Sequence, residues 1–275
     1  MLRVPRYYEL MPHINAFYLP DGDGFTPTDY TRGPWSPEHQ HAGPPAALMG
    51  RAVQHHPTPD STPWPVTRFV LDLLRPIPMS RLTTRTTELR ASRSVQEVQV
   101  TLHANDRLIC KASALRLRRG PPLFPATPAR AMARLPDESP ILAKFKPPRA
   151  TGADEGYHNA MDVRLAAGVF GEGPTQGWMR ARVPLILGES TSGLCRMLTA
   201  ADAASGISPA LDWMKYTFVN AELTAHLFRA PEGEWIGIDG CTEIAADGVG
   251  LASSRLFDLR GVFGRSNQCL LLRRR

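Results

Sequence analysis

Residues 219–227 alternate without interruption, with Val219, Ala221, Leu223, Ala225 and Leu227 on one side and Asn220, Glu222, Thr224 and His226 on the other. A period of two predicts a strand with one apolar and one polar face. The same reading predicts strands near 66–75, 81–91, 95–104 and 108–118, and again near 215–229, 234–246, 249–258 and 267–274. A stretch of helical character precedes each set of four. The first, GPPAALMGRAVQHH from Gly43, opens with two prolines, which suit the first helical positions because their φ is already helical and no intrahelical N–H is lost. The bare Gly43 before them offers no Cβ to obstruct a ligand approaching the backbone. The second, SGLCRMLTAADAAS from Ser192, carries Leu194, Leu198 and Asp202 at four-residue steps, so a carboxylate shares a row with two apolar side chains.

The two sets echo one another. TELRAS from Thr87 answers TEIAAD from Thr242, and at the same offset LRLRR ending at Arg119 answers LLLRR ending at Arg274. ANDRL and LRGVFGR fall at the matching place and predict hairpin turns. A repeat with several strands per copy implies two similar domains rather than a solenoid. One helix followed by an antiparallel sheet, twice over, is the α+β pattern in which each sheet wraps a central helix, as in a tandem (double) hotdog. The proline-rich, aperiodic stretch between the copies reads as a surface linker, dividing the chain into an N-terminal hotdog domain (1–119), a linker (120–160) and a C-terminal hotdog domain (161–275).

Composition narrows the function without choosing it. At 275 residues, 43% hydrophobic and 21% charged, the chain has the make-up of a soluble globular protein with room for two cores. The net charge of +6 draws on Arg116, Arg118 and Arg119 and on the terminal Arg273, Arg274 and Arg275. These read as solvated strand ends, or as a basic rim for an anionic, phosphorylated ligand. No basic stripe is interleaved with aromatics, which disfavours nucleic acid. No apolar run is long enough to span a bilayer and no signal-like segment opens the chain, so the expected location is the cytoplasm. Cys110, Cys195, Cys241 and Cys269 are scattered and make no Cys-x-x-Cys pair, so they read as small core residues, with neither a metal site nor a disulfide framework expected. No G-x-S-x-G elbow or glycine-rich phosphate loop is present, which disfavours a serine hydrolase and a nucleotide fold.

The stretches HQHAGPPAALMGRAV with RPIP, LTAADAASGIS, FVNAELTAHLFRAPEGEWIGI and DGVGLASSRLFDLRGVFGRSNQCLLL, in that order and spacing, resemble the double-hotdog acyl-CoA thioesterases of the medium-chain thioesterase II type. The resemblance covers most of the chain outside the linker. It implies hydrolysis of an acyl thioester with no cofactor, coenzyme A entering as part of the substrate, and a water positioned by an Asp on the second helix, a hydroxyl or amide residue on the next strand and a Gln on the last strand. Matched by motif, these are Asp202, Asn220 and Gln268. This chain has Asn220 where better-studied members carry Thr, and Glu222 where similar relatives carry an Asp two residues further on.

Each residue also has a plainer reading. Asp202 could cap the following turn at Ser205 or Ser208, and Gln268, with Leu270 and Leu272 on its face, could be a strand-end amide bonded to backbone. Glu222 shares a predicted face with Asn220 and is an alternative base. The N–H groups at Ala42 and Gly43 head the first helix, where its dipole favours a developing oxyanion, and His41 sits at the mouth of that helix. At the repeat offset Ala47 falls opposite Asp202 and Ser113 opposite Gln268, so one site per chain is expected. Two other readings stay open: a biosynthetic hotdog enzyme that works on a carrier-protein thioester or dehydrates its substrate through a histidine, and a non-catalytic acyl-binding hotdog. The expected partner is an acyl-CoA or acyl-carrier thioester, and a homodimer or higher homo-oligomer is left open.

Overall fold

The computed structural model describes residues 15–126, 132, 134–136, 155–169 and 172–275. Along the chain run β1 (Tyr18–Asp21), β2 (Gly24–Pro27), α1 (Gly43–His55), β3 (Val66–Leu73), β4 (Leu82–Ala91), β5 (Val95–Ala104) and β6 (Arg107–Leu117). There follow α2 (Tyr157–Ala160), β7 (Met161–Ala167), β8 (Thr175–Ala181), α3 (Gly193–Ala201), α4 (Ala204–Ile207), β9 (Tyr216–Asn220), β10 (Glu222–Leu227), β11 (Ile236–Ile244), β12 (Val249–Asp258) and β13 (Gly261–Arg274). Most of the segment read as a linker lies outside the described residues, but its end forms α2.

The strands make one sheet in the order β1-β2-β4-β5-β6-β3-β10-β13-β12-β11-β8-β7, with β9 also on β13. The order is palindromic: β1 answers β7, β2 answers β8, β4 answers β11, β5 answers β12, β6 answers β13, and β3 meets β10 at the centre. Two hotdog units are therefore fused edge to edge through an antiparallel pair running from Glu222↔Asp72 to His226↔Arg68. Pairing at the centre removes two edges that would otherwise invite aggregation.

The two long helices pack against each other inside the sheet, and small residues let them come close. A Cβ on Gly43 would strike the Thr199 carbonyl oxygen, and one on Gly50 would strike the Leu198 side chain. The Cys195 thiol reaches the Ala47 carbonyl at 3.4 Å. Ala46, Ala47, Leu48 and Met49 from α1 and Met197, Leu198, Ala200 and Ala201 from α3 share one buried cluster with strands of both units. Polar ties fasten the far end, where Arg51 bonds both oxygens of Glu189 at 2.7 and 2.9 Å and Ser192 Oγ donates to Gln54 at 2.7 Å. Gly43 thus serves helix packing: the space that its missing Cβ leaves is taken by α3 rather than by a ligand.

Several expectations change at this level. The strands β1, β2, β7 and β8, which flank the helices in sequence, are too short or too irregular to show a clean alternation. LRGVFGR is a turn only at Leu259 and Arg260, and the strand resumes at Gly261, whose φ of 104° needs a glycine. Gln268 is consequently in the interior of β13 rather than near its start. Cys110 and Cys195 are buried, but Cys241 and Cys269 are exposed. Arg116 is 2% exposed: its guanidinium donates to His56 O and Gln96 Oε1 at 3.0 Å each and to Val53 O, capping the C-terminal end of α1. It is therefore not part of a basic rim. Among the described residues no helix is long and apolar enough to cross a membrane.

Candidate active site

The second long helix does not run through as one piece. Ser192 caps its start, accepting from Cys195 N–H at 3.2 Å. The helix ends at Ala201, with Asp202 as its C-cap, before the single turn of α4. The break frees the Asp202 carbonyl from the helical ladder, and two amide side chains satisfy it, Gln268 Nε2 at 3.0 Å and Asn220 Nδ2 at 3.2 Å. The same amides hold the side chain: Asn220 Nδ2 donates to Asp202 Oδ1 at 2.7 Å and Gln268 Nε2 at 3.3 Å. Asp202 is 4% exposed and Gln268 fully buried.

Ser205, on α4, engages the acceptor ends of both amides. Its N–H donates to Gln268 Oε1 and its Oγ to Asn220 Oδ1, each at 3.3 Å. With their oxygens so engaged, the amides turn their N–H groups toward Asp202. Sequence reasoning saw Ser205 only as a capping partner.

Asn220 reaches this cluster because of a bulge. It pairs with Leu270, yet Thr224 pairs with Asn267, so three residues on β9–β10 face two on β13. Before the slip Phe218 and Asn220 turn toward the helices; after it Leu223, Ala225 and Leu227 do. Asn220 and Glu222 therefore do not share a face. Glu222 mends the bulge instead, its Oε1 accepting from Cys269 N–H at 2.9 Å and its Oε2 from the Thr224 hydroxyl at 2.7 Å. Both carboxylate oxygens are engaged away from Asp202, so Glu222 does not join the cluster that its predicted face implied.

The other half supplies His41. Its Nδ1 lies 3.1 Å from Asp202 Oδ2, and Gly43 N–H donates to the same Nδ1 at 3.1 Å. Its ring stacks on Tyr157 with centroids 3.7 Å apart and 3° between planes, and the Tyr157 hydroxyl donates to Thr199 O at 2.7 Å. The loop is pinned on both sides: His41 N–H bonds Thr31 O at 2.7 Å, and buried Gln40 accepts from the Tyr18 hydroxyl and donates to Pro78 O, also at 2.7 Å. Burial lowers the His41 pKa, partly offset by the Asp202 charge. Burial, with Asp202 adding to it, raises the Tyr157 hydroxyl and takes the Cys110 thiol to about 12. Neither Tyr157, within the stretch read as linker, nor Cys110 was legible as a neighbour of the carboxylate.

The site is split: β9, β13, α3 and α4 bring Asp202, Asn220, Gln268 and Ser205, while the loop before α1 brings His41, Ala42 and Gly43. A buried carboxylate with oriented donors, a histidine facing it and a helix N-terminus alongside make a set able to move a proton next to a developing negative charge.

Comparison with known proteins agrees with this architecture. The chain matches two family models, Acyl-CoA thioesterase N-terminal domain over residues 31–117 and Acyl-CoA thioesterase C-terminal domain over residues 136–272. A search of curated protein sequences gives no match. Among solved structures, it is similar to a conserved protein of unknown function with hot dog fold from Alicyclobacillus acidocaldarius, at TM-score 0.66 and 16% identity over 93% of this chain and 95% of that one. It is similar to an acyl-CoA thioesterase II, TesB2, from Mycobacterium marinum, at TM-score 0.65 and 16% identity over 86% and 90%. It is also similar to a tesB protein of Mycobacterium avium subsp. paratuberculosis, at TM-score 0.63 and 13% identity over 86% and 88%. The structures speak for the fold alone, whereas the family models span most of the sequence and fall on both hotdog units: the chain belongs to the acyl-CoA thioesterase family, as a double hotdog.

Proposed function

We propose that the protein hydrolyses acyl-CoA thioesters with Asp202 as general base. The observation that carries this reading is the buried Asp202 carboxylate, fixed by Asn220 and Gln268 and lying beside the N-terminus of α1. Asp202 takes a proton from water, the hydroxide oxygen adds to the thioester carbonyl, and the resulting oxyanion is held by the N–H groups of Ala42 and Gly43 with the helix dipole behind them. The intermediate collapses by breaking the C–S bond, and the proton returns to the leaving thiolate. Asn220 and Gln268 keep the base in place. An aromatic cluster supports an apolar acyl group: Trp35 and Trp213 stack at 5.2 Å, and Phe218, two residues before Asn220 on its face, meets them edge-on at 5.1 and 4.4 Å.

The test is thiol release from acyl-CoAs of several chain lengths by wild type and Asp202→Asn. Loss of a general base should lower kcat by about 10²-fold or more; full activity in the variant would remove Asp202 from the role.

One observation favours a second reading, dehydration or hydration of an acyl thioester: His41 and Asp202 face each other across the two units at 3.1 Å. The product separates the two. Hydrolysis releases a thiol, whereas dehydration makes a carbon–carbon double bond and leaves the thioester intact.

A further inference from the structure

His41 Nδ1 has two claimants, and it can serve only one at a time. An imidazole nitrogen carries either a lone pair or a proton. With a lone pair, Nδ1 accepts from Gly43 N–H, the 3.1 Å contact present here. With a proton, it forms an ion pair with Asp202 Oδ2, also at 3.1 Å, and Gly43 N–H loses its acceptor. The hydrogen bond and the ion pair are alternatives that share one atom.

We propose that His41 is a proton partner of Asp202 and that the same proton controls the oxyanion-binding donor at Gly43. This rests on the hydrolase reading. In the resting site Nδ1 is unprotonated and holds Gly43 N–H. When Asp202 takes the proton of the attacking water, that proton passes across the 3.1 Å Oδ2···Nδ1 contact to His41. Nδ1 then no longer accepts from Gly43 N–H, which is left free for the oxygen that has just gained the carbonyl electron pair. When the C–S bond breaks, the proton goes back through Asp202 to the thiolate sulfur, and Nδ1 again accepts from Gly43. Activation of the nucleophile and stabilisation of the oxyanion become one event, and the donor is protected between turnovers.

The surroundings favour this exchange. The ring is held by its stack on Tyr157 and by the Thr31 and Gln40 contacts, so it can change proton without changing place. The titratable groups beside the pair, the Tyr157 hydroxyl from α2 and the Cys110 thiol from β6, are both raised by burial with Asp202 adding to it, and Asn220, Gln268 and Ser205 supply uncharged groups from β9, β13 and α4. Among the described residues Asp202 is the carboxylate that faces His41, and burial disfavours the charged imidazole, partly offset by the Asp202 charge.

The test combines imidazole 15N NMR of the full chain with kinetics. Wild-type His41 should show an unprotonated Nδ1 near neutral pH, and Asp202→Asn should move its titration midpoint by at least about half a pH unit. His41→Phe, which keeps the ring stack, should lower kcat about 10²-fold with KM changed by less than about threefold. His41→Asn, which keeps a polar atom near Nδ1 but cannot be protonated, should lose the acid limb of the pH profile. An Asp202→Asn protein with an unmoved His41 titration, or a His41→Phe enzyme with wild-type kcat, would overturn the proposal. A coupled imidazole in a protein that releases no thiol from any acyl-CoA would count against the hydrolase reading and still support the shared proton.

Discussion

At Gly43 the difference between no side chain and one methyl group is decided by a backbone atom. The methyl of an alanine would meet the Thr199 carbonyl, which cannot rotate away. Gly43→Ala should therefore lower stability by about 1–3 kcal/mol, as overpacking does, and displace the N–H proposed to bind the oxyanion; thermal denaturation and thiol release check both. Ser205→Ala should behave differently: the Asn220 amide loses the hydroxyl that fixes its oxygen, while the backbone N–H to Gln268 stays, so kcat should fall by about tenfold with a change in stability near 1 kcal/mol. The pH dependence has a definite sign. His41 and His158 both have pKa values lowered by burial, so on acidification the unfolded chain takes up protons near pH 6.5 before the folded one does. Stability should be level above that pH and fall below it, and His41→Phe should flatten part of the slope in melting curves. Asp202 and Gln268 were legible in sequence because a polar group in an apolar row must find a partner. Ser205 and Tyr157 were not, because what they do depends on atoms brought near them only by folding.

The elements show where pattern reading stops. Alternation predicted the longer strands of both units well, but a period of two cannot reveal a slipped pairing, since a bulge looks the same in sequence as a regular strand. For this reason Asn220 and Glu222 seemed to share a face. A prediction follows for Glu222→Ala: with Cys269 N–H left to solvent, stability should drop by about 1 kcal/mol, and kcat should stay within about threefold. A large fall in kcat with unchanged melting would return Glu222 to the chemistry. The repeat offset failed in the same way. Ser113 turns outward to Glu97 at 2.9 Å, while Ala112, Ala114 and Arg116 occupy the buried row. An odd offset between strands exchanges faces. Counted back from the two matching turns, the residue that answers Gln268 is Ala114, which pairs with Val98 as Gln268 pairs with Ala252; Arg116, next in the same buried row, carries N–H donors to the C-terminal carbonyls of α1 as Gln268 does for α3.

For the molecule as a whole, the central β3–β10 pair and the α1–α3 contact join two similar units into one core. Heat should unfold it in one transition, with the calorimetric and van't Hoff enthalpies in agreement; two resolved transitions would show the units to be independent. One catalytic centre per chain is expected, so Asp202→Asn should leave no half-strength activity. The strand order would look the same if the molecule were turned end for end, but its interior would not. At the α3 end an amide pair holds the carboxylate proposed as the base; at the α1 end a buried guanidinium caps the last carbonyls of the helix. On that proposal the duplication has a working end and an anchoring end. Substitutions that strengthen the anchor act far from the carboxylate, which gives this fold a route to greater stability that escapes the usual penalty in rate.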